Sequence, residues 1–234
     1  MQGERENGAE QLTAPIVASI SANPFAILSA CLVALAIALV FGGCSVLAPH
    51  QDRTHFILLA AATGAFKAAQ FAEGEKSTSA IIGLGPVQLP EYLDRPELVI
   101  RTSPNGFELS ETDRWAEPLA DNFRHILAND LTNLLGTTNI VQYPWYPGTR
   151  LDYIVRVQVQ RFEINTSKSA ELVARWELTT SQVDQPVATH DVHLSHATAS
   201  LTGDSAAAAL SEDVGELAGQ IALTVRNCPA GNMP

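Results

Sequence analysis

Three closely spaced histidines are the residues best placed for metal chemistry. His190, His193 and His196 occur within the run HDVHLSH. On a strand, His190 and His196 share one face while His193 points to the other, and on a helix only neighbouring pairs meet. Three ligands therefore cannot converge from this run, and no cysteine or fixed carboxylate completes a zinc site. The pattern predicts polar strand surface, with a metal-binding protein as the alternative.

Catalytic motifs give no stronger signal. The chain contains no GxSxG elbow, and no motif places a serine, a histidine and an aspartate together. Residues 83–86, GLGP, lack the glycine spacing and the following helix that a phosphate loop requires. We therefore expect a protein that is not an enzyme and that uses no cofactor.

Cys44 has a chemistry that depends on what precedes it. It follows an apolar run, residues 26–43, whose last two members are Gly42 and Gly43. Small side chains at this point allow a peptidase to bring the backbone into its cleft. The arrangement resembles the lipobox of bacterial lipoproteins, in which the cysteine is acylated and the chain is cut before it. The resemblance implies a signal peptide over residues 1–43 and a lipidated Cys44, with a non-cleaved signal anchor as the alternative.

Composition limits the partners of such a protein. The chain has 234 residues and a formal net charge of -11, which argues against nucleic acid and against electrostatic attraction to anionic lipid. Contact with the membrane would then come through lipidated Cys44, since two or more acyl chains hold a soluble domain stably on a bilayer. The sequence leaves a homo-oligomer open.

The order of elements predicts one domain behind a short linker. Residues 44–53 are polar and contain proline, as in a tether, residues 54–228 form the domain, and residues 229–234 form a flexible tail. Apolar residues recur at helical spacing over 119–135, after Pro118 and before Gly136, and again over 205–226. Strands are predicted by β-favouring or alternating runs at 54–60, 80–89, 97–102, 107–110, 139–143, 152–164, 170–180 and 187–201.

These elements predict an α+β fold. The last three strands read as an antiparallel meander, and the two amphipathic helices each need a surface for one apolar face. We expect a two-layer sandwich, with a largely antiparallel or mixed sheet and both helices on one side of it. The acidic residues Glu108, Glu111 and Asp113 are expected in a solvated turn.

Trp145 and Tyr146 form a distinctive aromatic pair. They lie between Pro144 and Pro147 in a predicted loop. Exposed loop aromatics can contact a partner, a lipid or a second copy of the chain. The alternative is that both rings cover an edge of the core, as most large aromatic side chains are at least partly buried.

The stretch from residue 85 to residue 131 resembles the PqiC-type (YmbA-like) lipoproteins, which are auxiliary components of the Mce-domain lipid transporters of Gram-negative envelopes. Weaker similarity extends over nearly all of the chain after Cys44, and the lipobox fits the same family. The matching positions are Val87, Pro90, Tyr92, Leu93, Trp115, Pro118, Leu119, Leu127 and Leu131.

This resemblance implies an auxiliary subunit that docks on an Mce-domain transport protein, faces the periplasm and supports intermembrane lipid transport. Because Ser45 rather than Asp follows Cys44, it also implies the outer membrane. Tyr92 and Arg95 lie on a predicted exposed turn and are candidate interface residues, although the family's matching positions are more simply explained by a role in holding the fold. The alternatives are an accessory lipoprotein of another envelope assembly, such as lipopolysaccharide or secretion machinery, and a periplasmic hydrolase or metal-binding domain.

Overall fold

The computed structural model describes residues 24–42, 52–62, 78–180 and 186–228. The chain divides into two compact units, Met1–Asp52 and Arg53–Pro234. Cys44, most of the predicted tether and the predicted tail lie outside the described residues.

Among the described residues of the first unit, Pro24–Gly42 form helix α1. It covers most of the apolar run that precedes Cys44 in the sequence. Within the part of the chain that the structure describes, no helix has both the length and the hydropathy required to cross a bilayer.

In the second unit, the described residues form one eight-stranded mixed sheet. The strands are β1 (His55–Ile57), β2 (Ile82–Gln88), β3 (Glu97–Ser103), β4 (Gly106–Trp115), β5 (Ile140–Gln142), β6 (Tyr153–Asn165), β7 (Ser169–Thr180) and β8 (Pro186–Ala197). Strands β6, β7 and β8 pair antiparallel in sequence order, so the predicted meander is confirmed.

The other edge of β6 is shared by two strands. The first half of β6 pairs parallel with β2, and its last two residues pair parallel with β3. Beyond β2 lies β5, also parallel, whereas β3 continues through antiparallel β4 to parallel β1. The sheet therefore forks at β6, and each branch ends in a three-residue strand.

Two helices cover one face of this sheet. Helix α2 (Leu119–Leu135) follows Pro118 and ends at Gly136, whose φ of 61° places it in the left-handed region that favours glycine. Helix α3 (Gly203–Asn227) spans 25 residues and packs against α2, β7 and β8. Phe123 of α2 meets Phe162 of β6 edge to face, with 5.1 Å between ring centroids. The predicted two-layer α+β architecture is confirmed.

One local prediction was wrong. Glu108, Glu111 and Asp113 do not lie in a turn, because β4 continues through them to Trp115. The pairing of β3 with β4 is irregular between Val99 and Glu97, and the side chain of Ser110 bonds to both the backbone and the carboxylate of Asp113 at this point. The irregularity breaks the alternation by which a strand is recognised in the sequence.

Gly215 provides a test of how α3 packs. A Cβ atom at this position would lie 2.2 Å from the Cβ of Ala62. The segment around Ala62 is fixed, because Leu59 N–H donates to Asn122 and Ala60 N–H donates to Ser211. We expect Gly215→Ala to lower the free energy of unfolding by about 1–2 kcal/mol, because the overlap outweighs the gain in helix propensity. Denaturant titration would measure the change.

The matched control is Gly215→Ala combined with Ala62→Gly, which removes the overlapping methyl group. The double variant should regain most of the lost stability. Equal stability of Gly215→Ala and the wild type would show that Ala62 does not contact α3 closely.

Candidate interaction surfaces

One candidate surface, here called the Tyr92 cluster, consists of Tyr92, Arg95, Arg101, Phe107 and Glu163. Glu163 follows Phe162 on β6, and Phe162 packs toward α2, so Glu163 points to the opposite face of the sheet. Arg101 and Phe107 are cross-strand neighbours on β3 and β4, and Arg101 Nε donates a hydrogen bond to Glu163. The cluster therefore joins three strands on the face without helices.

Tyr92 lies on a short 3-10 turn, Glu91–Leu93, beside these strands. Its ring centroid lies 5.6 Å from that of Phe107 and 5.9 Å from the guanidinium carbon of Arg101. The guanidinium carbon of Arg95 lies 6.0 Å from the Phe107 centroid. Both predicted interface residues are thus half-buried, and Phe107, at 42% exposure, is the most accessible ring of the cluster.

Electrostatics favour one protonation state for Tyr92 and for Arg101. Burial, reinforced by nearby Glu163, raises the pKa of Tyr92 to about 12. The hydrogen bond to Glu163 also raises the pKa of Arg101. Neutral tyrosine and charged arginine therefore persist at any physiological pH, and the cluster presents fixed hydrogen-bonding and aromatic groups rather than an acid or a base.

The second candidate surface, here called the aromatic loop, spans residues 143–148. Trp145 packs inward: a Cβ at Gly83 of β2 would lie 3.4 Å from its ring and 2.7 Å from Leu151. Tyr143 meets Trp145 edge to face at 5.4 Å. Tyr146 is 86% exposed, and Thr149 holds its carbonyl with both its N–H and its hydroxyl. The predicted pair is therefore divided, with Trp145 supporting the loop and Tyr146 facing solvent.

The three histidines of β8 do not form one site. His190 stacks on Trp176 with 4.7 Å between ring centroids, and His193 is exposed on the other face. Nδ1 of His196 lies 2.7 Å from Oδ1 of buried Asp213 on α3. Among the described residues, no group of three histidines, cysteines or acidic residues is arranged to hold a metal ion.

Some of these contacts could not be found from sequence motifs. In the sequence, Glu163 is one polar residue of an alternating strand, and nothing links it to its partner Arg101, which lies 62 residues away. Phe107 directly follows the SPNG turn signal, so its place at the start of a hairpin strand was visible, but its contacts with Tyr92 and Arg95 were not.

Comparison with known proteins connects this fold to a family. Residues 65–222 match the family described as the ABC-type transport auxiliary lipoprotein component, which is more than half of the chain. The chain belongs to this family. The resemblance seen in the sequence is confirmed at the level of the family. The coarse role that follows is that of an envelope-associated accessory lipoprotein of an ABC-type transporter, and the family is not a known enzyme family.

Solved structures agree on the fold. One, of an uncharacterized protein, has 17% identity to the auxiliary lipoprotein, covers 74% of this chain and 98% of its own, and superposes with a TM-score of 0.59. A Xanthomonas campestris protein of the DUF330 family has 16% identity, covers 74% and 97%, and has the same TM-score, 0.59. No curated protein matches the auxiliary lipoprotein significantly.

Proposed function

We propose that this chain is a lipid-anchored, periplasm-facing auxiliary subunit of an Mce-type intermembrane lipid transport system. The observation that carries the proposal is the family match over residues 65–222, which covers most of the sheet, all of α2 and most of α3. The sequence resemblance to PqiC-type lipoproteins supports the Mce-domain partner specifically.

The anchor in this proposal is Cys44. Residues 1–43 serve as the signal peptide, and residues 44–53 tether a single domain, 54–228, to the acyl chains. Ser45 favours the outer membrane as the final location. Because the chain is strongly acidic with or without residues 1–43, lipid attachment rather than attraction to anionic lipid supplies the membrane affinity.

The two surfaces described above supply the protein contacts. Tyr146 is a large amphipathic side chain that is already held in an ordered loop, so a partner would bind it at a low entropic cost. Tyr92 and Arg95 belong to the Tyr92 cluster, where Phe107 is the exposed ring. Aromatic and arginine side chains of this kind dominate binding energies at interfaces. Either surface could also join copies of the chain into a homo-oligomer.

Affinity purification tests the proposal. The full-length protein is extracted from its native envelope in mild detergent beside Cys44→Ala, and the proteins that accompany each are identified by mass spectrometry. We expect an Mce-domain protein with the wild type. Intact-mass measurement should find a wild-type chain that begins at an acylated Cys44, whereas Cys44→Ala should carry no acyl group and should keep residues 1–43.

Cys228→Ala is the matched control, since it removes a thiol far from the predicted anchor and should change neither result. Recovery of lipopolysaccharide-assembly or secretion factors without an Mce-domain protein would contradict the proposed partner. A wild-type chain that keeps residues 1–43 and carries no acyl group would contradict the anchor.

A further inference from the structure

A groove lies between the N-terminal half of α3 and the extended segment that includes β1. Its volume is about 510 Å³. The helix contributes small side chains to its floor, Ala207 and Ala208, and the extended segment contributes Phe56 and Leu58. The alanine run of α3 therefore leaves open a depression that larger helix residues would fill.

The apolar wall of the groove is unusually accessible. Phe56 is 64% exposed and Leu58 is 50% exposed. Both side chains belong to a segment whose backbone is fixed to β4, Asn122 and Ser211. Two neighbouring large apolar side chains on an ordered surface indicate a binding site more strongly than scattered ones.

The opposite wall is acidic. Asp204, Ala208 and Glu212 follow one another at intervals of four residues, so they lie along the same face of α3. Asp204 is 84% exposed and approaches His55, with 3.6 Å between Oδ1 and Nε2. Within the described residues, Glu212 makes no ion pair. The groove thus combines an apolar floor with two carboxylates on one margin.

We propose that this groove binds an amphipathic segment of a partner protein that carries apolar side chains and has lysine or arginine at one margin. The apolar side chains would cover Phe56 and Leu58, and the basic residues would lie near Asp204 and Glu212. Helix-in-groove recognition has this form, in which apolar anchors give affinity and charges set the orientation. The proposal holds whether or not the partner is an Mce-domain protein.

Charge argues against two other occupants. A bilayer containing anionic lipid would be repelled by Asp204 and Glu212, which border the apolar wall. In a two-fold interface the same patch meets itself, so a second copy of this chain would place these carboxylates close to their own equivalents. A basic partner segment has neither disadvantage.

Photo-cross-linking of the full-length protein in its native membrane tests the proposal. The probe is p-benzoylphenylalanine at Leu58, with the same probe at Leu109 of β4, 38% exposed, as the control position. Peptide mass spectrometry should find the Leu58 probe attached to one protein segment with apolar residues and a nearby lysine or arginine. The Leu109 probe should not label this segment.

Charge reversal then links the product to the groove. Glu212→Lys should lower the cross-linking yield about fivefold, which corresponds to the loss of one favourable surface ion pair and its replacement by repulsion. Glu111→Lys makes the same change on β4 and should leave the yield unchanged. Replacing the basic residue of the labelled segment by glutamate should restore the yield in Glu212→Lys.

A product with lipid, with a second copy or within the same chain would overturn the proposal, as would a yield that does not respond to Glu212→Lys. These outcomes are distinct from failure of the proposed function. If an Mce-domain protein copurifies but the Leu58 probe labels nothing, the groove is wrong and the transport role stands. If the probe labels a basic amphipathic segment of another assembly, the groove stands and the transport role is wrong.

Discussion

Replacement of Arg101 by alanine is expected to destabilise the α+β unit by about 3–5 kcal/mol, because it leaves a buried carboxylate without its cation. Glu163 is 1% exposed and Arg101 is 17% exposed. Arg101 Nε donates to one carboxylate oxygen of Glu163, and the other oxygen has no hydrogen-bond partner among the described residues. Removal of the guanidinium therefore leaves the buried carboxylate of Glu163 without a cation.

The Arg101→Met, Glu163→Leu double variant should recover most of this loss, since well-packed apolar side chains often replace a buried ion pair without cost. Arg175→Ala is the matched control. It breaks the pair in which two guanidinium nitrogens of Arg175 donate to Asp191, but this pair lies in solvent, so we expect little change. Denaturant unfolding followed by tryptophan fluorescence measures all three. If Arg101→Ala and Arg175→Ala behave alike, the Tyr92 cluster is solvated rather than buried.

The contribution of Asp213 to the free energy of unfolding is expected to fall by about 3 kcal/mol as the pH rises from about 4 to above 6. Burial raises the pKa of Asp213 from 3.8 to about 6, although His196 opposes the shift; Glu216 and Glu171 add to it. The unfolded chain ionises Asp213 near its ordinary pKa, whereas the folded chain resists ionisation up to about pH 6. Stability from this residue is therefore complete at low pH and is lost as the pH rises, which is opposite to the usual behaviour of a carboxylate in an ion pair.

Asp213→Asn removes the titrating group. The unfolding free energy of the wild type minus that of the variant should therefore fall between about pH 4 and pH 6 and stay constant at higher pH. His196→Gln is the second variant. Nδ1 of His196 contacts Asp213 directly, and the loss of the imidazole should raise the pKa of Asp213 further and move the transition to higher pH. Parallel pH profiles for wild type and Asp213→Asn would show that Asp213 does not control this dependence.

Local signals predicted the elements that are bounded by special residues or by long repeats. Pro118 and Gly136 delimited α2, and regular alternation revealed β6. No local signal predicted that β1 pairs parallel with β4 or that β2 pairs parallel with β6. These pairings depend on how both branches of the sheet fit along one edge of β6. Sequence periodicity indicates which face of a strand is buried, but it does not choose the neighbouring strand.

The candidate surfaces were only partly visible for a similar reason. The prolines around Trp145 and Tyr146 identified the loop, but the contact of Trp145 with the β2 edge depends on Gly83, which lies far earlier in the chain. Apolar spacing predicted α3, but the small size of its alanines becomes significant only beside Phe56 and Leu58. His196 and Asp213 lie on different elements, so no spacing rule connects them.

The length of α3 has a further consequence for how many molecules this protein can hold at once. The groove is centred near Ala208. Trp145 of the aromatic loop lies beside Gly83, which pairs with Ile154 next to Tyr153, and the hydroxyl of Tyr153 donates to the carbonyl of Cys228 at the other end of α3. Twenty helical residues correspond to about 30 Å. A standard interface covers about 800 Å² on each partner, equivalent to a disc of roughly 16 Å radius. Two such discs would meet only at their rims, so partners at the two proposed surfaces would not exclude each other.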